Sequence, residues 1–337
     1  NEDGTINLDG ISMTKEDIEN FDKVYIVACG TAYHAGLVGK LVIEKMARVP
    51  VEVDIASEFR YRDPFVEEKT LFIAISQSGE TLDTLAALRE AKRKGARILS
   101  VVNVVGSSVA RESDDVFYTW AGPEIAVAST KAYTTQLTAF YMIALNLAMT
   151  KGSITEEEYF GGIEQLKKIP AQVEKVLECN ELVGQIAEEI KEANDIFYLG
   201  RGVDYSLAME GALKIKEISY VHAEAFAAGE LKHGSIALID KGTPVVAIAT
   251  QGQLFEKMVS NMQEVRARGA RVIAITQEGN TEVEKSADRV IYIPKVDDMF
   301  ASITAVVPMQ LLAYHVSNIR GLDVDKPRNL AKSVTVE

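Results

Sequence analysis

The chain has 337 residues, of which 47% are hydrophobic, and its 36 basic and 49 acidic side chains give a formal net charge of −13. The length predicts about two domains of roughly 150 residues each, and the acidic balance argues against nucleic acid or an anionic membrane as a partner. Two cysteines, Cys29 and Cys179, are too few for a disulfide framework, which favours a cytoplasmic location.

A polar loop at 76–81 separates a predicted strand from a predicted helix. The apolar run 70–75 before the loop is typical of a buried strand, and 82–92 after it is rich in strong helix formers. The first N–H groups of a helix have no intrahelical partner and carry partial positive charge, so they attract anions. The sequence therefore predicts an anion site at the start of this helix.

The side chains of the 76–81 loop refine that prediction. Gly79 allows the backbone to approach a ligand closely, and three hydroxyl side chains add hydrogen-bond donors: Ser76, Ser78 and Thr81. Because the loop carries no lysine, it favours a phosphosugar over a nucleoside triphosphate. The alternative is a polar helix cap that binds no ligand.

Segments of the first half recur in the second half. The similar pairs are 23–28 with 195–199, 71–77 with 244–251, and 94–101 with 268–275. Continuous apolar runs joined by alanine-rich helices are typical of parallel sheets covered on both faces. The sequence predicts an α/β fold with two tandem doubly wound parallel-sheet domains, as flavodoxin-like three-layer sandwiches. The predicted order is a lead-in at 1–19, a first domain at 20–150, a helical connection at 151–189, a second domain at 190–325 and a docked tail at 326–337.

Two further patterns indicate which half binds the phosphate and whether the chain crosses a membrane. The second copy of the loop, 250–255, has lost two of the three hydroxyls, so we expect the first half to bind the phosphate. The apolar run 137–149 is too short and too interrupted to span a bilayer, and we interpret it as a core helix.

The second half carries the ionisable residues that acid–base chemistry needs. Glu210, Lys214 and Glu217 follow at spacings of four and three, which places them on one stripe of a predicted helix. The rest of this helix is apolar, so the stripe should face a cleft or a partner. The alternative is an internal ion-pair ladder that only holds the helix in place.

Two more residues could carry chemistry. His233 lies in a short loop between glycines, and histidine as a residue type can transfer protons near neutral pH, although a solvated histidine is an equal alternative. The tail 325–337 contains Pro327 and ends in alternating apolar residues, which predicts an extended, docked segment. Docking would place Lys332 in a cleft suited to carbonyl chemistry; the alternative is a disordered tail. No residues have metal-ligand spacing, so no metal site is predicted.

Together these segments resemble the isomerase half of the glucosamine-6-phosphate synthases (glutamine:fructose-6-phosphate amidotransferases), a family with two sugar-isomerase (SIS) domains. The resemblance covers essentially the whole chain and is most specific at 216–220, 230–234 and 327–334. Ala32 and His34 stand where some members carry Ser and Asn, which leaves the sugar contacts there open.

The resemblance implies roles for individual residues. The phosphate of a hexose 6-phosphate would bind Ser76, Gln77, Ser78 and Thr81. The sugar pocket would be lined by Thr31, Val127, Ser129, Glu210 and Ala331. Glu217 would move a proton between C1 and C2, with Lys214 assisting near the oxygens. His233 would open the sugar ring from the neighbouring subunit of a homodimer. Lys332 would form a Schiff base with the open ketose.

The same resemblance implies a reaction without a cofactor. The family's glutaminase half, which releases ammonia from glutamine, is missing from this sequence. We therefore expect the chain to interconvert fructose 6-phosphate and glucose 6-phosphate, and to form glucosamine 6-phosphate only with supplied ammonia. Two alternatives share the fold: an amino-sugar phosphate deaminase/isomerase or deglycase, and a phosphosugar sensor that would need the loop but not Glu217, His233 or Lys332.

Overall fold

The computed structural model describes residues 4–333, so the predicted apolar end of the tail at 334–337 lies outside the described residues. Within that range the strands are β1 (Lys23–Ala28), β2 (Val51–Ile55), β3 (Thr70–Ser76), β4 (Arg97–Val102), β5 (Asp115–Tyr118), β6 (Asp195–Gly200), β7 (His222–Ala227), β8 (Pro244–Ala249), β9 (Arg271–Gln277) and β10 (Arg289–Ile293).

The helices connect these strands and cover the sheets. They are α1 (Lys15–Asn20), α2 (Gly30–Ala47), α3 (Ala56–Phe59), α4 (Leu82–Arg93), α5 (Ser108–Glu112), α6 (Lys131–Thr150), α7 (Glu156–Leu177), α8 (Asn180–Ile190), α9 (Val203–Ser219), α10 (Phe255–Arg266) and α11 (Ala301–Ile319). The predicted strand before the polar loop is β3, and the predicted helix after it is α4. The predicted helical connection at 151–189 contains α7 and all but the last residue of α8.

The described chain divides into two compact units. The first contains residues 4–125, 129–166 and 331–333, and the second contains 126–128 and 167–330. Lys332 therefore belongs to the first unit, whereas the α9 residues belong to the second.

Each unit is built on one five-stranded parallel sheet. The first sheet has the order β2-β1-β3-β4-β5, and the second has the order β7-β6-β8-β9-β10. Counted within its own unit, each sheet follows the flavodoxin-like order 2-1-3-4-5. The predicted α/β class with two doubly wound parallel sheets is confirmed.

Burial explains why the strand sequences are continuously apolar. All seven residues of β3 and all six of β8 are buried, because a doubly wound sheet is covered on both faces. The predicted core helix at 137–149 lies inside α6, whose buried residues include Leu137, Phe140 and Leu145. Among residues 4–333, no helix has both the length and the apolarity needed to cross a bilayer.

Candidate active site

In the first unit the strand order creates a crevice at the carboxyl end of the sheet. β1 and β3 are neighbours, but the chain continues from β1 to β2 on one side and from β3 to β4 on the other. Connections that diverge in this way leave a crevice in which ligands of doubly wound proteins bind. The connection after β1 contains Gly30, at φ 54°, and Thr31. The connection after β3 is the 76–81 loop, so both predicted ligand segments lie at this edge.

The hydroxyls of the 76–81 loop bond within the loop. Ser76 Oγ lies 3.0 Å from Thr81 Oγ1 and also accepts the N–H of Gly79 at 3.0 Å. Ser78 Oγ accepts the N–H of Glu80 at 3.2 Å. Thr81 is the N-cap residue of α4 by position, but its side chain forms no capping bond. The simple capping alternative is therefore wrong for Thr81, whose hydroxyl faces Ser76 instead.

A second pair of predicted site residues also meets in the first unit. Ser129 lies just before α6, and its Oγ is 3.4 Å from Nζ of Lys332. The side chain of Lys332 is half-buried, while the neighbouring Ala331 is exposed. An amine near the chain's end is thus held beside a serine that the motif pattern assigns to the sugar pocket.

In the second unit α9 carries the predicted ionisable stripe. Lys214 Nζ lies 2.6 Å from Glu217 Oε2 and 3.4 Å from Glu210 Oε1. The side chains of Glu210, Lys214 and Glu217 are 0%, 2% and 21% exposed, respectively. Burial disfavours the charged amine, but the two carboxylates outweigh it and raise the pKa of Lys214. The ion-pair ladder of the structural alternative is present, and it keeps a cation beside Glu217, the most exposed of the three.

The remaining site residues of the second unit lie on loops. His233 is exposed and ends a 3₁₀ turn, where its N–H donates to the carbonyl of Glu230 at 2.9 Å. The N–H of Val127 donates to the carbonyl of Asp325 at 2.9 Å. The start of the predicted tail is docked, because the N–H of Arg328 donates to the hydroxyl of Tyr220 at 2.8 Å, directly after α9.

The loop of the second unit that corresponds to 76–81 bonds to carboxylates of its own chain. Buried Asp204 accepts the N–H of Thr250 at 2.8 Å and its hydroxyl at 2.6 Å. Asp298 accepts the N–H of Gly252 at 2.6 Å and the side-chain amide of Gln277 at 3.0 Å. Sequence reasoning missed both aspartates, and the one available signal was the loss of hydroxyls in this loop.

Comparisons with known proteins agree with the observed fold. A family model described as "SIS domain" matches residues 17–146 and 189–320. The chain belongs to the SIS-domain family. The resemblance inferred from the motifs is confirmed by a solved SIS structure, the C-terminal domain of glucosamine-fructose-6-phosphate aminotransferase from Francisella tularensis. That structure has 45% identity, covers 96% of this chain and 92% of its own, and gives a TM-score of 0.92.

Curated relatives of the chain have names that agree with the name of that solved structure. Glutamine–fructose-6-phosphate aminotransferases [isomerizing] from Caldanaerobacter subterraneus and Clostridium acetobutylicum are 59% and 62% identical over 99% and 98% of this chain. The chain spans about 55% of the length of these relatives. Glucosamine-6-phosphate deaminase from Thermotoga maritima has a TM-score of 0.77 at 25% identity, with 95% of each chain covered. Across residues 4–333 no group of three or more His, Cys, Asp or Glu side chains could hold a metal ion.

Proposed function

We propose that this chain is the isomerase half of a glutamine-dependent fructose-6-phosphate aminotransferase, acting on fructose 6-phosphate and ammonia to give glucosamine 6-phosphate. The observation that carries the proposal is the 3.4 Å distance between Lys332 Nζ and Ser129 Oγ. Imine formation with a ketose needs an amine beside the sugar, whereas a phosphosugar sensor does not. The name shared by the curated relatives supports the same reaction.

The first unit binds the substrate in this proposal. The N-terminus of α4 and the loop before it hold the phosphate through Ser76, Gln77, Ser78 and Thr81. Thr31, Ser129 and Ala331 contribute the remaining first-unit contacts to the sugar, and the roles of Val127 and Glu210, which belong to the second unit, rest on the motif resemblance. Uncharged donors suit a chain of net charge −13, because overall electrostatic attraction cannot concentrate an anionic substrate.

The proposed reaction needs one amine and one shuttled proton. The amine of Lys332 adds to the C2 carbonyl of the open ketose, and water leaves as the imine forms. Ammonia then adds at C2 and the lysine amine leaves. Glu217 removes a proton from C1 and returns it to C2, while the imine nitrogen gains a proton and the C1 hydroxyl loses one, which leaves an aldehyde at C1 and the amino group at C2. The charged Lys214 stabilises negative charge that develops on the substrate oxygens.

The proposal includes two partners, a second copy of this chain and a glutaminase domain. His233 opens the sugar ring, and its exposed position suits action on the substrate of a second copy in a homodimer. A glutaminase domain outside this chain supplies ammonia from glutamine. We place both partners in the cytoplasm.

The first test compares Glu217→Gln with the unchanged chain. With fructose 6-phosphate alone, the unchanged chain should form glucose 6-phosphate, and with added ammonia it should form glucosamine 6-phosphate. Glu217→Gln should lower the rate by about 10²–10⁴-fold, because it removes the general base, and leave fructose 6-phosphate binding intact. Borohydride should trap the substrate on Lys332, as read by peptide mass spectrometry. Ammonia release from glucosamine 6-phosphate as the dominant activity would favour the deaminase alternative.

The position of His233 has its own test in mixed dimers. Glu217→Gln and His233→Ala chains should each lose most of their activity, but a dimer of the two has one site with both residues intact when His233 acts across the interface. Random exchange should then restore roughly a quarter of the unchanged activity, since about half of the dimers are mixed and half of their sites are complete. Mixtures that stay inactive after verified exchange would contradict action in trans.

A further inference from the structure

Glu80 is an acidic residue inside the loop that we assign to phosphate, and its carboxylate is bonded to another element. Oε1 of Glu80 accepts the backbone N–H of Ser108, at the start of α5, at 2.8 Å. Hydrogen bonds from Ser108 lower the pKa of Glu80, with a smaller contribution from the charge of Arg111. The carboxylate therefore remains ionised, and it is held by a donor outside the loop.

The segment from 103 to 109 also holds the loop through its backbone. The N–H of Asn103 donates to the carbonyl of Gln77 at 3.1 Å, and the N–H of Val109 donates to the carbonyl of Gly79 at 3.0 Å. Together with the Glu80 bond, three of the six loop residues are tied to one neighbouring segment. We call these three bonds the loop clasp.

Packing around Gly79 shows how closely the clasp fits. Gly79 has a φ of 66°, and a Cβ built there would lie 2.0 Å from Oγ of the buried Ser107. A side chain at position 79 would therefore overlap Ser107, so the glycine lets the loop pack closely against the start of α5, where the clasp bonds hold it.

We propose that Glu80 is a positioning residue for phosphate binding, because its bond to the N–H of Ser108 fixes the 76–81 loop in its binding conformation. This inference rests on the proposed function. A loop that is ordered before binding loses less conformational entropy when the ligand arrives, so a preorganised site binds more tightly. The bond also keeps an ionised carboxylate engaged with a donor of its own chain, where it does not compete with phosphate for the loop donors.

The experiment compares three single variants of the full chain. Glu80→Ala removes the acceptor, and Glu80→Gln keeps an acceptor oxygen without the charge. Glu90→Ala is the matched control, because Glu90 lies on α4 and its carboxylate pairs with Arg93 on the surface. Calorimetry would measure affinity for inorganic phosphate and for fructose 6-phosphate, steady-state kinetics would give KM and kcat for isomerisation, and hydrogen exchange would report on the loop amides without ligand.

We expect Glu80→Ala to bind both ligands about tenfold more weakly, with a matching rise in KM, unchanged kcat and faster exchange of the loop amides. Glu80→Gln should recover most of the affinity, and Glu90→Ala should match the unchanged chain. If Glu80→Ala matched the unchanged chain in ligand affinity and in exchange of the loop amides, the inference would be overturned while the proposed function stayed in place. Equal losses in Glu80→Ala and Glu90→Ala would also overturn it. An unchanged chain that binds neither ligand would overturn both.

Discussion

The two units have the same strand order and carry corresponding loops, 76–81 and 250–255, after the third strand of each sheet. The hydrogen-bond partners of these loops differ. In the first unit the hydroxyls of Ser76 and Thr81 bond to each other at 3.0 Å. In the second unit Thr250 donates to Asp204, and Gly252 donates to Asp298. A carboxylate of the chain thus takes the role in the second unit that we assign to a bound phosphate in the first.

A single position accounts for much of this difference. Gly30 and Gly202 follow the first strand of each unit with similar φ values of 54° and 58°. Counted from these glycines, Ala32 in the first unit corresponds to Asp204 in the second. In both units the fold places helix N-termini at the crevice. The side chain two residues after the glycine helps decide whether the loop's N–H and hydroxyl donors are bonded to a carboxylate of the chain or are available to a ligand. Two domains of one fold can in this way divide binding and acid–base work.

Among the changes considered, Ala32→Asp should have the largest effect on the affinity for fructose 6-phosphate. The new carboxylate would lie at the crevice beside Ser76, as Asp204 lies beside Thr250, and would repel the phosphate. Two unit charges 4 Å apart interact by about 4 kcal/mol at an effective dielectric constant of 20, so affinity for fructose 6-phosphate should fall by at least about 100-fold. Calorimetry would measure this change. Ala32→Ser, which adds a neutral hydroxyl, is the control and should keep its affinity, whereas retained binding by Ala32→Asp would refute the equivalence of the two loops.

The features that sequence could predict are those with local causes. The apolar run of β3, the helix formers of α4 and the spacing of Glu210, Lys214 and Glu217 each act over a few residues, and the structure confirms the elements that they predict. The bond between Asp298 and Gly252 joins residues 46 positions apart, and only the sheet order brings them together. The bond between Glu80 and Ser108 joins residues 28 positions apart, so a local sequence pattern could not predict it either.

Asp204→Asn should change the pH dependence of stability. Burial raises the pKa of Asp204 from 3.8 to about 6, although hydrogen bonds from Thr250 oppose the shift. The folded state therefore holds this proton more tightly than the unfolded state. The stabilisation is complete below pH 3.8 and is lost as the pH rises through 6, a swing of about 3 kcal/mol in the free energy of unfolding.

Because asparagine does not titrate, the variant should lose that swing. Urea unfolding followed by circular dichroism between pH 4 and pH 7 would measure the difference between the variant and the unchanged chain. Asp22→Asn is a control, since the Asp22 side chain is 73% exposed and pairs with a lysine on the surface. An identical pH profile for Asp204→Asn and the unchanged chain would show that Asp204 does not titrate in this window.

Thr81→Val and Thr250→Val should have the smallest effects. The same substitution should weaken ligand binding in the first loop and lower stability in the second. Thr81→Val removes a hydroxyl that we assign to phosphate, and hydrogen bonds to charged groups contribute about 1.5–3 kcal/mol, so affinity for fructose 6-phosphate should fall by about 10–100-fold with little loss of stability. Thr250→Val removes a buried donor to Asp204 at 2.6 Å, so it should lower the free energy of unfolding by a similar amount and leave affinity unchanged. Calorimetry and urea unfolding on both variants separate the outcomes. Weaker binding in Thr250→Val, or unchanged binding in Thr81→Val, would mean that the two loops do not divide the work as their hydrogen bonds indicate.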